Sequence, residues 1–367
     1  MHLAIVTKSA STKSGAKVPF DLAPYLAKQM QVTVFAAKHG VQKDLFKILA
    51  KDKIDLVLYS NPFDLYQKLK KANCQVISSH ATFFYLLSSK LTGIPIVKTY
   101  HGTQFDAYLE KFVPQTRLSF IDNLINTFFN KLLWLDQKIQ LVLSDQVISI
   151  SIACQKELKD LYKTKSKLIY NGINLIDRSK PTSHGLKPKN APILILSVSR
   201  ITSYKGFHLL IGCVKKIRDQ GYNIKLTITG TGEKKSYLSY LKRKLDKNDQ
   251  ILTSLNDKDL AKLYKNCDIY ATCDRYLFFG LPIAEAASFA KPAIALDSFA
   301  AKELIINGRT GYVAKNMDQF SKFLKLLLSN QKRRAQFGTA ALKHVQEKFD
   351  IENTSKKYIS VLEKIAV

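Results

Sequence analysis

Cysteine is sparse and poorly spaced for chemistry. The five residues, Cys74, Cys154, Cys213, Cys267 and Cys273, form no C-x-x-C pair and are odd in number. That argues against zinc ligation and a disulfide framework, and it fits a reducing, cytoplasmic setting. No stretch reaches about 18 consecutive apolar residues, so no helix is expected to span a membrane. The opening "MHLAIVTKSAS" has too short an apolar run for a signal peptide and reads as a buried strand. Acidic residues are few: 29 against 57 basic ones in 367 residues, a net charge of +28. Such an excess implies an anionic partner, whether nucleic acid, a membrane surface or a phosphorylated small molecule. No low-complexity basic tail or arginine-rich arm is present, which speaks against nucleic acid. The lysines are instead scattered along helix faces such as "QKELKDLYKTKSKL", the pattern of a solvated surface.

What is present is a regular alternation. Short β-branched runs, "HLAIVT", "QVTVFAA", "IDLVLYS", "CQVISSH" and "PIVKTYHG", are separated by helical patterns. The alternation restarts with "ILILSVSR", "IKLTITGTG", "QILTSL" and "CDIYATC". Strands that alternate with helices imply right-handed crossovers and parallel sheets covered on both faces. At this length two domains are expected. The stretch 177–192, with three prolines and a glycine among polar residues, is the best linker. The expected fold is α/β: two Rossmann-like doubly wound domains, residues 1–187 and 188–350, facing across a cleft. A final helix at 351–367 is expected to pack back on the first domain.

Open α/β sheets bind ligands outside the carboxyl ends of their strands. There, "SVSRITSYKG" places Arg200 and Lys205 between a strand and a helix starting near Gly206. A planar fork and a point charge beside a helix N-terminus suit a diphosphate. "TITGTG" puts Gly230 and Gly232 after a strand; they allow close approach to a ligand or form a plain tight turn. In "RYLFFGLPIAEAAS", Gly280 precedes a helix with Pro282 at its first position, and Glu285 follows one turn in. The amides of 281–284 could hold a phosphate oxygen, and Glu285 could grip ribose hydroxyls or serve the helix dipole. In the first half, Gly15 lies in the loop after the first strand. His80 and His101 follow neighbouring strands, and Gly102 lets the chain turn and expose the ring of His101.

These motifs resemble family 4 glycosyltransferases, retaining enzymes of the two-domain glycosyltransferase-B fold. The resemblance runs over nearly the whole chain. "SGAKVPFDLAPYLAKQMQVTVFA", "GIPIVKTYHG", "KLIYNGIN", "SVSRITSYKGFHLLI", "DKDLAKLYKNCDIYATC" and "FGLPIAEAASFAKPAIALDSFAAKELIINGRTGYVAK" occur in the family's order. It implies a transferase that moves a sugar from a nucleotide-sugar donor to a glycan or lipid-linked acceptor. Arg200 and Lys205 would hold the donor diphosphate and stabilise the leaving charge. Glu285 would bind ribose, with Gly280, Leu281 and Pro282 at the same turn; Gly230 would lie in the donor site and main chain near Leu252 would meet the base. His101 would sit near the transferred sugar, and Gly15 near the diphosphate. The resemblance implies no metal and no cofactor besides the nucleotide-sugar substrate, and no nucleic acid. One departure stands out: the family's glutamate eight residues before Glu285 is Leu277 here. Either the donor lacks or differently presents a hydroxyl, or Asp274 substitutes, or the protein is a catalytically silent subunit that binds a partner or acceptor.

Apolar residues at 118, 121, 124, 125, 128, 132, 135, 139 and 142 have helical spacing. The segment "LINTFFNKLLWLDQKI" is aromatic enough either to pack on its own domain or to lie in a bilayer interface. With the basic surface, this predicts a cytoplasmic protein peripheral on the inner face of the plasma membrane.

Overall fold

The computed structural model describes residues 1–10, 17–39, 41–42, 44–102, 120–175, 191–231 and 235–366, apart from the side chains of 120–127 and 235. Gly15, Gly232 and all of the expected linker except Ala191 and Pro192 lie outside these residues.

Two compact units emerge. Among the described residues, unit 1 takes the chain up to Gly172 and takes it back from Ile351; unit 2 runs Ile173–Asp350. Unit 1 contains β1 (His2–Thr7), α1 (Val18–Ala27), β2 (Gln31–Ala37), α2 (Asp44–Ala50), β3 (Asp55–Tyr59), α3 (Pro62–Lys71), β4 (Val76–His80), α4 (Phe83–Lys90), β5 (Ile96–Tyr100), α5 (Phe120–Val142), β6 (Gln146–Ser149), α6 (Ile152–Tyr162) and β7 (Lys167–Leu168). Unit 2 contains β8 (Ile193–Val198), α7 (Phe207–Arg218), β9 (Ile224–Gly230), α8 (Lys235–Lys244), β10 (Gln250–Thr253), α9 (Asp257–Asn266), β11 (Ile269–Thr272), α10 (Leu281–Ser288), β12 (Ala293–Leu296), α11 (Ala301–Leu304), β13 (Gly311–Ala314), α12 (Met317–Ser329) and α13 (Gln331–Lys348). The last helix, α14 (Ile351–Ile365), belongs to unit 1.

Both sheets are parallel. Unit 1 has strand order β3-β2-β1-β4-β5-β6-β7, and unit 2 has β10-β9-β8-β11-β12-β13. In each, the order reverses beside the unit's first strand, between β1 and β4 or between β8 and β11. The carboxyl ends of those two strands diverge there and leave a crevice. The expected class, two Rossmann-like parallel-sheet domains, is the one the chain adopts.

The strands read as near-continuous apolar runs because both faces are covered. Along β1, Leu3 and Ile5 join a core with α1 and α14, while Ala4 and Val6 join a second core with α3 and α4. In unit 2, Ile195, Leu226 and Ile228 pack beneath Leu210 and Val214 of α7 and Phe320 and Leu324 of α12. Each such buried aliphatic side chain contributes about 1.5–3 kcal/mol. Helix starts follow ordinary capping chemistry. Asn61 and Asn256 accept hydrogen bonds from the N–H of Asp64 and Asp259, opening α3 and α9. No described helix is long and apolar enough to cross a membrane.

Candidate functional site

In unit 2 the informative residues gather where the strand order reverses. Arg200 follows β8, and the chain then makes a 3-10 turn, Ser203–Lys205, and enters α7 through Gly206. Gly206 has φ +70°, and a Cβ there would stand 2.3 Å from the Cys273 carbonyl oxygen. Only glycine lets this turn press against the end of β11. The contact brings Lys205 to Asp274, the second residue after β11: Lys205 Nζ donates to Asp274 Oδ2 at 2.5 Å. Both are largely buried, with side chains 15% and 4% exposed. Asp274 Oδ1 accepts the Tyr276 N–H at 2.9 Å. Arg200 donates to the Tyr204 hydroxyl, and the Lys205 ammonium lies 5.1 Å from the Tyr204 ring centroid. The two cations expected to hold an anion therefore share one tyrosine, and one of them already has a carboxylate counter-ion.

Glu285 is buried, and its Oε2 accepts the Tyr264 hydroxyl at 2.7 Å. Tyr264 stands 6.4 Å, ring to ring, from Tyr270 of β11, whose hydroxyl donates to the Val198 carbonyl at the end of β8. Burial raises the Tyr270 phenol well above its usual range; the hydrogen bond to Val198 opposes that, and the Asp274 and Glu285 carboxylates add to it. Tyr264 and Tyr270 thus link Glu285 to the end of β8, just ahead of Arg200.

Two local expectations need correction. α10 begins at Leu281, so Pro282 is its second residue, not its first. The amides of this turn are also less available than the sequence suggests. Pro282 has none, and the N–H groups of Ile283 and Ala284 donate back to the Gly280 carbonyl at 2.9 and 3.4 Å. Gly280 itself has φ +92°, and its missing Cβ leaves room for Leu304 and Leu277, which close over it. Leu277 is buried, and its carbonyl accepts the Ala300 N–H at 3.0 Å. Gly230, φ +159°, serves its neighbour: a Cβ there would lie 1.7 Å from the Ser199 carbonyl oxygen. Leu252 sits in β10 opposite Thr229 of β9.

In unit 1, His80 ends β4 and His101 follows β5, on neighbouring strands. His80 Nδ1 lies 3.0 Å from His101 Nε2. The expectation that Gly102 exposes the His101 ring is not met; the ring is half-buried against its partner. Burial, then the Lys98 and Lys8 cations, hold His101 down to about 3. Burial, then His101 and Lys98, hold His80 well below the usual histidine range. Both rings are therefore neutral at physiological pH. Lys98 was missed from the sequence. It is 6% exposed, its ammonium donates to the Ala81 carbonyl at 2.6 Å, and burial pulls it down to about 7 despite Asp136. Its signal was one lysine inside the apolar strand "IVKTY". Tyr264 and Tyr204, which carry Glu285 and Arg200, gave no sequence signal beyond helical spacing. Among the described residues, no group of three His, Cys, Asp or Glu converges as metal ligands would.

Comparison with known proteins gives a consistent result. The family model described as Glycosyltransferase Family 4 matches residues 15–176, and that described as Glycosyl transferases group 1 matches residues 180–344. The capsular polysaccharide biosynthesis glycosyltransferase CapM of Staphylococcus aureus is 26% identical over 233 residues, or 59% of this chain and 61% of CapM. The match thus spans less than two thirds of that relative. Among solved structures, a glycosyltransferase from Rickettsia africae superposes with a TM-score of 0.75 at 20% identity, covering 99% of this chain and 98% of its own. Anabaena HepE, solved with UDP and glucose, gives 0.79 at 16% identity, covering 99% and 100%. At these identities the structural likeness shows a shared fold of two parallel-sheet α/β domains.

Proposed function

We propose that this chain, whose two halves each match a glycosyltransferase family model, moves a sugar from a nucleotide-diphosphate-sugar donor to a glycan or lipid-linked acceptor, with retention at the anomeric carbon, in the synthesis of a cell-surface polysaccharide, glycolipid or glycoprotein. The observation that carries this reading is the grouping of Arg200, Lys205 and the Glu285-bearing turn around the ends of β8 and β11. In the proposed reaction an acceptor hydroxyl oxygen bonds to the anomeric carbon as the bond between that carbon and the diphosphate oxygen breaks, and the hydroxyl proton passes to the departing diphosphate. The electron pair leaves with the diphosphate, and Arg200 and Lys205 stabilise that charge. Glu285 accepts from ribose hydroxyls, main chain near Leu252 meets the base, and no resident metal is needed. HepE was solved with UDP, which makes uridine diphosphate the first probe.

Two observations favour a second reading, a catalytically silent subunit that binds a partner or acceptor. Lys205 is already paired with Asp274, and Leu277, at the position where the sequence resemblance implies a glutamate, is buried and offers no acceptor side chain. Thermal-shift screening against uridine, guanosine and adenosine diphosphates separates the two. A transferase is stabilised by one of them, because a ligand bound only to the folded state raises apparent stability. The shift disappears in Arg200→Ala and in Glu285→Ala; unchanged shifts in both variants overturn the site assignment.

We further infer a peripheral membrane location from unit 1. Among the described residues, every exposed large apolar side chain except Phe299 and Ile306 lies in that unit. Phe128, Phe129, Leu132, Leu133, Trp134 and Leu135 form an exposed run on α5, and Lys131 within it is also exposed. An apolar face beside ammonium groups suits an anionic lipid surface. Flotation with anionic vesicles should recover the protein in a salt-sensitive manner; equal recovery with neutral vesicles and no salt effect refutes the electrostatic account.

A further inference from the structure

Unit 1 holds a chain of hydrogen bonds that ends on His101. Tyr358 of α14 reaches the sheet and places its hydroxyl 2.6 Å from Thr99 Oγ1 and 2.8 Å from Ser78 Oγ. Ser78 Oγ lies 3.3 Å from His80 Nε2, and His80 Nδ1 lies 3.0 Å from His101 Nε2. Thr99, Tyr358 and Ser78 are buried. Protons can be arranged along this chain in two directions. In one, His101 Nε2–H donates to His80, His80 to Ser78, Ser78 to Tyr358 and Tyr358 to Thr99. The Thr99 O–H then needs a further acceptor, yet Tyr358 is its one hydrogen-bond partner among the described residues. A buried donor without an acceptor costs about 1–3 kcal/mol. In the other direction every O–H is used: Thr99 donates to Tyr358, Tyr358 to Ser78 and Ser78 to His80 Nε2. His80 then carries its proton on Nδ1 and donates to His101 Nε2. A neutral imidazole has one N–H, so His101 is left with its proton on Nδ1.

We propose that His80 is a positioning residue that holds His101 in the Nδ1–H tautomer, so that this ring presents a hydrogen-bond donor, not a proton acceptor, to a sugar hydroxyl oxygen. The tautomer follows from the hydroxyl chain alone; the ligand rests on the glycosyltransferase reading. His101 then acts by holding an oxygen in place. It does not act as a general base. The weak basicity of the half-buried ring agrees with that role.

The test is long-range proton–nitrogen correlation NMR on the full chain with labelled histidine, the His101 signals being assigned by their loss in His101→Asn. The wild type should show His101 protonated on Nδ1 and bare on Nε2. Ser78→Ala removes the hydroxyl that orients His80, and His80→Phe removes the partner ring. In both, the Nε2–H form of His101 should appear, while melting curves confirm that each variant folds. A wild-type ring protonated on Nε2, or a tautomer unchanged in both folded variants, overturns the proposal. The measurement needs no donor, acceptor or turnover, so its failure is distinct from failure of the nucleoside-diphosphate shift that tests the transferase reading.

Discussion

The Lys205–Asp274 pair sets two effects of opposite sign against each other, and Asp274→Asn separates them. The pair is 2.5 Å long with side chains 15% and 4% exposed. Removing one partner of a fully buried pair costs about 3–5 kcal/mol. Here Lys205 keeps some solvent, and the amide oxygen of an asparagine can still accept from it, so the expected loss is about 1–3 kcal/mol. For a unit of this size each kcal/mol lowers Tm by about 2–4 °C, giving a fall of roughly 2–12 °C. Ligand binding should move the other way. A diphosphate at Lys205 would stand within about 5 Å of the Asp274 carboxylate, and like charges at that distance repel by about 3 kcal/mol at an effective dielectric of about 20. With solvent screening, the Asp274→Asn substitution should tighten nucleoside-diphosphate binding by about tenfold. The assay is a calorimetric titration of uridine diphosphate into both proteins, paired with their melting curves. A variant as stable as wild type that binds tenfold more weakly refutes the reasoning: Asp274 would then be a ligand contact, not a counter-ion that the ligand must displace.

Tyr264→Phe removes a donor from the buried Glu285 carboxylate, and urea unfolding should show a loss of about 1–3 kcal/mol; no change would mean that another group carries Glu285. Gly230→Ala forces a Cβ onto the Ser199 carbonyl, so it should displace the start of the Arg200 loop and abolish the nucleoside-diphosphate shift, whereas a retained shift shows that the loop tolerates the move. The neutral histidines predict acid sensitivity. Their contribution is fully present above the unfolded value of 6.5 and is lost as pH falls toward the folded value of about 3 for His101, so urea midpoints should drop across that range and flatten in a His80→Phe, His101→Phe double variant. Lys98, lowered from 10.5 to about 7, costs stability at neutral pH that is regained as pH rises toward 10.5; Lys98→Met should remove that alkaline rise.

Both sheets were legible in the sequence because a parallel strand buried on two faces must be apolar along its length, and "ILILSV" or "HLAIVT" can be little else. The candidate site was legible only as far as its strand ends. That Arg200 and Asp274 follow strands and His80 lies at a strand end could be read directly. The partners that decide their chemistry could not. Tyr358 meets Ser78 across 280 residues, and Lys205 meets Asp274 across 69, separations over which no periodicity carries information. Amide directions were equally hidden. Whether the N–H of Ile283 faces a ligand or the Gly280 carbonyl depends on φ at Gly280, which is set by Leu304 and Leu277 filling the space a side chain would need.

One topological fact places the unit 2 cluster and the His80 end of the unit 1 cluster. Where strand order reverses, neighbouring carboxyl ends send their chains to opposite faces of the sheet, and the backbone groups between them are left without a covering helix. In unit 2 that position is bounded by β8 and β11, and the residues leaving those strands are Arg200 and Asp274. In unit 1 it is bounded by β1 and β4, and His80 is the last residue of β4. In unit 2 the crevice is finished by Lys205 through the Gly206 turn; in unit 1 Tyr358 of α14 meets Ser78 of β4 and Thr99 of β5, one strand away from the reversal. A residue brought in by such long-range packing is held only as firmly as that packing. The chemistry of both clusters should therefore respond to changes that never touch them, such as loosening α14 against β4 and β5, before it responds to any change in the sheets themselves.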